Sequence, residues 1–200
     1  MIRCGHRPGV GKAPHWCHDG SHVVWIKAGW AAAVTTWPSP ALDILLVDDD
    51  PADVLIIREA LESTAGHSVH VVDDGLQALA YLRQESPFSS AARPDLVFLD
   101  LNLPLKSGQE VLAELKADPD LRVIPIVIVS SSDAPQDIIA SYSTYANGYL
   151  VKPGTFDAFA TLIRQAGDFY RSTARVPHPS MDQSAPPAAT GSAGPDALPV

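Results

Sequence analysis

The sequence predicts a doubly wound α/β domain built on a five-stranded parallel sheet. Three observations carry that expectation: five short, almost wholly apolar runs, amphipathic segments of helical period between them, and a spacing that fits five strand–helix units into about 130 residues. Strands covered on both faces read as continuous apolar runs, and parallel neighbours need helical crossovers.

The first run is DILLV at 43–47. Asp50 follows as candidate N-cap, Pro51 takes the first helical position and Asp53 lies in the first turn, with Val54, Ile57 and Leu61 marking the apolar face. The second run, SVHVV at 68–72, leads into a helix read from Leu76, Leu79 and Leu82. A loop, QESPFSSAARP at 84–94, precedes the third run, DLVFL at 95–99, and Val111, Leu112 and Leu115 define the third helix. The fourth run is IPIVIV at 124–129, followed by Ile138, Ile139 and Tyr142 on a fourth helix. The fifth, GYLV at 148–151, precedes a helix that starts after Thr155 with Phe156, Phe159, Leu162 and Ile163.

Charge divides the 200 residues into three pieces. Residues 1–40 carry four basic residues and one acid, residues 41–171 nine basic and 20 acidic, and residues 172–200 one basic and two acidic. The middle piece, at net -11, is the expected domain; its low basic content argues against nucleic acid as a partner, since phosphate binding needs clustered cations. The first 40 residues read as a disordered or extraneous leader, and the Pro/Ala/Ser-rich 172–200 as a disordered tail that lacks apolar content to offset its ordering entropy. Residues 23–37 are too short and, with Lys27 inside, too interrupted for a membrane span or a signal peptide. Two cysteines make no disulfide framework, so a cytoplasmic, reducing location is expected and no membrane partner is.

In an open α/β sheet, ligands bind outside the carboxyl ends of the strands. Asp48, Asp49 and Asp50 follow the first predicted strand, Asp100 the third, Ser130, Ser131 and Ser132 the fourth, and Lys152 with Pro153 the fifth. Carboxylates gathered on one edge repel unless a cation joins them, and oxygen-only donors favour Mg²⁺. A lysine and a serine hydroxyl beside them suit the oxygens of a phosphoryl group. The set therefore reads as phosphoryl transfer onto an aspartate.

The strings ILLVDDDPADV (44–54), DLVFLDLNLPLKSG (95–108), IPIVIVSSSD (124–133) and YLVKP (149–153) resemble the response-regulator receiver domain of two-component signalling, over residues 42 to about 171. The resemblance implies a flavodoxin-like (βα)5 fold with strand order 2-1-3-4-5; this family supplies the standard example of that order. It implies a stand-alone phosphoacceptor, not an enzyme acting on outside substrates, whose output is a changed surface and whose partner is a histidine kinase. Asp100 matches the phosphoacceptor. Asp49 and Asp100 match carboxylate ligands of Mg²⁺, with the Asn102 carbonyl as a further ligand and Asp48 orienting waters or the lysine. Ser130 matches the hydroxyl, and Lys152 the lysine, that meet the phosphoryl group. Tyr149 matches the aromatic switch that follows Ser130, and Lys152–Pro153 the family's cis peptide. The wording DPADV, DDGLQALAYL and LDLNLP, with the 84–94 loop, is similar to regulators paired with bacterial and cyanobacterial phytochrome kinases.

Tyr145 departs from the family pattern by replacing the usual glycine, which predicts a fourth helix without its left-handed glycine cap. Tyr142, Tyr145 and Tyr149 then mark the fourth helix and fifth strand, with the fifth helix, as a homodimer or partner surface. Asp48 and Asp50 also fit the D-x-D of haloacid-dehalogenase-like phosphohydrolases, the alternative function; a receiver-shaped module that is never phosphorylated is a third. Gly9, Gly11 and Lys12 do not complete a phosphate-binding loop, and Cys4, His6, His15, Cys17, His18 and His22 do not complete a zinc pattern. His67 and His70 read as exposed structural histidines.

Overall fold

In the computed structural model the five apolar runs pair in parallel into one sheet, in the 2-1-3-4-5 order expected for the domain. The structure describes residues 41–177, with 63–65 as backbone alone, and, as backbone, residues 3–5, 15–18 and 23–26. The chain divides into two units, Met1–Pro38 and Ser39–Val200.

In the first unit the backbone of β1 (Arg3–Gly5), β2 (His15–His18) and β3 (Val23–Ile26) forms an antiparallel sheet, with Cys4 opposite Cys17 and Trp16 opposite Trp25. No element was expected there; β-branched and aromatic residues in β2 and β3 suit a pleated surface. The zinc and phosphate-loop candidates fall outside the residues whose side chains are described, as does the tail beyond residue 177.

In the second unit β4 (Asp43–Val47), β5 (Ser68–Val72), β6 (Leu96–Leu99), β7 (Ile126–Ser130) and β8 (Gly148–Val151) alternate with α1 (Pro51–Ala65), α2 (Gly75–Leu82), α3 (Gly108–Ala117), α4 (Pro135–Ser143) and α5 (Phe156–Ser172). Alternate residues of each central strand face opposite ways. Ile44, Leu46 and Phe98 pack under α1 and α5 with Ile57, Leu61 and Ile163, while Leu45, Val47 and Leu99 pack under α2 and α3 with Leu79, Val111 and Leu112. Full burial of each such side chain contributes roughly 1.5–3 kcal/mol, so the two layers hold the strand ends in fixed register.

Four local features differ from expectation. The fourth strand starts at Ile126 instead of residue 124, after Pro125, which has no N–H to give a ladder and offers its carbonyl to Val97 instead (3.0 Å). α4 does end in a left-handed residue: Tyr145 itself has φ 66°, with Ala146 N–H on the Ser141 carbonyl and Tyr145 N–H on that of Tyr142, both at 3.0 Å. That pair of bonds is the Schellman arrangement, which satisfies the helix's last carbonyls without a glycine. His67 is buried, not exposed, because its Nδ1 accepts the Leu42 N–H (3.0 Å) under α5. Val176, inside the span read as tail, packs against the α1/α5 layer.

Candidate functional site

The site forms where β4, β6, β7 and β8 end. Asp48 follows β4 with its N–H on the Val72 carbonyl (3.2 Å), and its buried Oδ1 accepts the Asp50 N–H (2.9 Å). Asp50 in turn caps α1 through Ala52 N–H (2.8 Å), so the chain turns from strand to helix within three residues, and Asp49 projects exposed at the rim. Asp100 continues the β4–β6 ladder through its N–H on the Val47 carbonyl (2.9 Å), and its Oδ1 accepts the Asn102 N–H (3.1 Å). The loop after it folds back tightly: Gly108 N–H reaches the Leu101 carbonyl (2.9 Å), and a Cβ at Gly108 would sit 1.9 Å from the Asp100 carbonyl oxygen. Only glycine permits that approach.

Lys152 joins these acids. Its N–H extends the β7–β8 ladder onto the Ser130 carbonyl (2.8 Å), which aims the side chain across the sheet edge. Nζ donates to Asp100 Oδ2 at 2.6 Å, Asp48 Oδ2 at 2.8 Å and Asp53 Oδ2 at 2.8 Å. An ammonium has three N–H groups, and all three are engaged. Burial alone would lower the Lys152 pKa, but hydrogen bonds to Asp100, Asp48 and Asp53 outweigh it and hold the group firmly protonated. Burial raises the Asp48 pKa, against the opposing bonds from Lys152 and the Asp50 N–H. The cis Lys152–Pro153 bond expected from the resemblance is absent; the cis bond among the described residues is Ser86–Pro87. Trans is the ordinary preference of an X–Pro bond, and the ladder bond and three carboxylates already orient Lys152.

Ser130 is fully buried, and its Oγ accepts the Ser132 N–H at 3.2 Å. Ser132 ties the loop to α4: its Oγ accepts from Ala134 N–H (3.3 Å) and donates to Asp137, while its carbonyl accepts the Tyr149 hydroxyl (2.9 Å). Tyr149 packs against the α2/α3 layer. The predicted Asp48, Asp100 and Lys152 are thus in direct contact, and a chain of bonds leads from Ser130 through Ser132 to Tyr149. Asp53, to which the 44–54 string assigned no role, is the third carboxylate on Lys152. Its signal was its place in the first turn of a helix that starts at the acidic edge.

A family model for the response regulator receiver domain matches residues 44–164. The chain belongs to the response regulator receiver family. Response regulator Rcp1 of Synechocystis is 40% identical over 140 residues, covering 70% of this chain and 95% of that protein. The crystal structure of the phosphorylated cyanobacterial phytochrome response regulator RcpA matches with TM-score 0.67 and 45% identity, over 69% of this chain and 99% of that one. The Mn(2+)-bound form of Rcp1 matches with TM-score 0.66 and 39% identity, over 68% and 99%. This receiver domain is therefore a relative of phytochrome-associated response regulators, and the phosphohydrolase alternative is withdrawn. Its proposed second acid, Asp50, is spent as a helix cap, and its proposed nucleophile, Asp48, is buried under Lys152.

Receiver domains bind a divalent metal, and the residues here fit one. Asp48, Asp53 and Asp100 set three carboxylates against one ammonium, with Asp49 beside them, so negative charge is in excess and every donor is oxygen, the chemistry of a hard cation. Among the described residues, no three acidic, histidine or cysteine side chains are already gathered around a point ready for an ion. Among the described residues, no helix is long and apolar enough to cross a membrane.

Proposed function

We propose that this receiver domain acts in the cytoplasm, accepts a phosphoryl group on Asp100 from the phosphohistidine of a histidine kinase, and signals through the resulting change of surface. The contact of Lys152 Nζ with Asp100 Oδ2 at 2.6 Å supports this most directly, since it sets a fixed positive charge where phosphoryl oxygens arrive. A carboxylate oxygen of Asp100 forms the new P–O bond as the P–N bond to the kinase histidine breaks, and the imidazole nitrogen keeps the electron pair. Mg²⁺, held by Asp49, Asp100 and the Asn102 carbonyl with Asp48 behind them, would supply charge neutralisation of the phosphoryl oxygens when bound. Lys152 neutralises a further oxygen. Ser130 Oγ donates to another, and its movement pulls on Ser132 and hence on α4 and Tyr149.

The identity to RcpA and Rcp1 supports a phytochrome-type kinase as the partner. A homodimer through α4, β8 and α5 is favoured by apolar residues exposed on those elements, Ile139, Tyr142, Val151 and Phe156, and by Tyr145 in the turn after α4. Sedimentation should show a dimer that is lost in the Tyr142→Ala, Tyr145→Ala double variant; an unaffected dimer rejects this surface. For the phosphoacceptor, acetyl phosphate with Mg²⁺ should add one phosphoryl group by mass spectrometry, and none in Asp100→Asn. Undiminished labelling of that variant rejects Asp100, and an unlabelled wild type favours the unphosphorylated module.

A further inference from the structure

Asp53 stands inside the 44–54 string but is given no role by the resemblance, yet it takes one of the three Lys152 N–H groups at 2.8 Å, on equal terms with Asp48. It comes from α1, whereas Asp48 and Asp100 follow strands, and it sits in that helix's first turn, where the positive end of the helix dipole favours a carboxylate. The contact is sheltered, with the Lys152 side chain 10% exposed and that of Asp53 23%, so solvent screens it only partly.

The third carboxylate acts with opposite sign on cations and anions. A divalent cation at the site must tolerate the Lys152 charge and contest Asp48 with it; Asp53 offsets that charge and gives the ammonium a partner when Asp48 turns away. An anion over Asp100 meets one more negative charge, and a lysine whose N–H groups are already shared. We infer that Asp53 is a positioning residue that sets the ion preference of the site, strengthening divalent-cation binding and weakening the hold on a phosphoryl group at Asp100. The inference rests on the phosphoacceptor reading above.

The test uses the full chain and two binding measurements: Mn²⁺ by calorimetry, and beryllofluoride, a phosphoryl mimic, by ¹⁹F NMR at saturating Mg²⁺. Asp53→Asn keeps the shape and removes the charge. It should raise the Mn²⁺ Kd roughly three- to tenfold and lower the beryllofluoride Kd by a similar factor, the scale of one partly screened charge at close range. Asp53→Glu should return both toward wild type. If the Asn variant does not fold, Asp53→Ser, a residue tolerated at a helix start, should give the same opposed shifts. Affinities that weaken together, or that both stay within about twofold, overturn the inference. A wild type that binds Mn²⁺ but no beryllofluoride overturns the phosphoacceptor reading itself, whereas a wild type that binds both, with unresponsive variants, overturns only the role of Asp53.

Discussion

The Tyr149 hydroxyl donates to the backbone carbonyl of Ser132 at 2.9 Å, tying β8 to the loop between β7 and α4. The same Ser132 gives its N–H to Ser130 Oγ at 3.2 Å, so the two residues proposed to respond to phosphorylation share one loop residue. Tyr149→Phe removes only the hydroxyl bond. Stability in urea should fall by about 1 kcal/mol, and amide exchange of Ala134, which is held by Ser132 Oγ, should quicken. Unchanged exchange would show that Tyr149 does not restrain this loop.

Gly108 and Gly148 make a matched pair. A Cβ at Gly108 would lie 1.9 Å from the carbonyl oxygen of Asp100, a residue whose N–H is tied to Val47 of β4, whereas one at Gly148 meets nothing nearer than Val127 methyl groups at 3.6 Å. Gly108→Ala should cost at least about 3 kcal/mol and displace Asp100, and Gly148→Ala should stay within about 1 kcal/mol. Chemical denaturation of both variants decides the matter.

Tyr145 occupies the left-handed region and is 75% exposed. A non-glycine residue there costs roughly 1–2 kcal/mol, part of which glycine would give back through its freer unfolded chain. Tyr145→Gly should therefore stabilise the domain by about 0.5–1 kcal/mol, and Tyr145→Ala should leave it unchanged. Urea midpoints at matched slopes would show it.

His67 should make stability depend on pH. Burial lowers its pKa below 6.5, the nearby Arg171 charge lowers it further and Asp168 opposes them. With Nδ1 accepting from Leu42, the proton sits on Nε2, which is buried without a partner. The unfolded chain then binds more protons below its own pKa of about 6.5. The contribution is complete above that pH and is lost as pH falls from it toward the lower folded pKa. Thermal midpoints between about pH 7.5 and 5.5 should fall in the wild type and flatten in His67→Asn, which can still accept the Leu42 N–H.

Much of the site is legible from composition at the ends of apolar runs. Topology alone sends the residues after parallel strands to one edge, which places Asp48, Asp100, Ser130 and Lys152 together before any distance is known. Asp53 was legible only as a helix-start acid, because nothing local says which way the first turn faces. His67 was misread for a related reason: a histidine beside a strand carries no mark of what covers it, and here it is the passage of α5, with Gly167 leaving room, that buries the ring.

The sequence by itself determined the α/β class of the second unit, the strands and helices of that unit to within a few residues, and the identity of the acids, the hydroxyl and the lysine at the sheet edge. Apolar runs, helical period and caps are local properties, written in neighbouring residues. Tertiary structure decided that one ammonium serves three carboxylates, that α4 closes on a left-handed tyrosine, and that Tyr149 holds Ser132. Each of these depends on side chains or backbone groups brought together by packing of elements distant in the chain, or on a backbone conformation that residue type disfavours and the surrounding bonds impose.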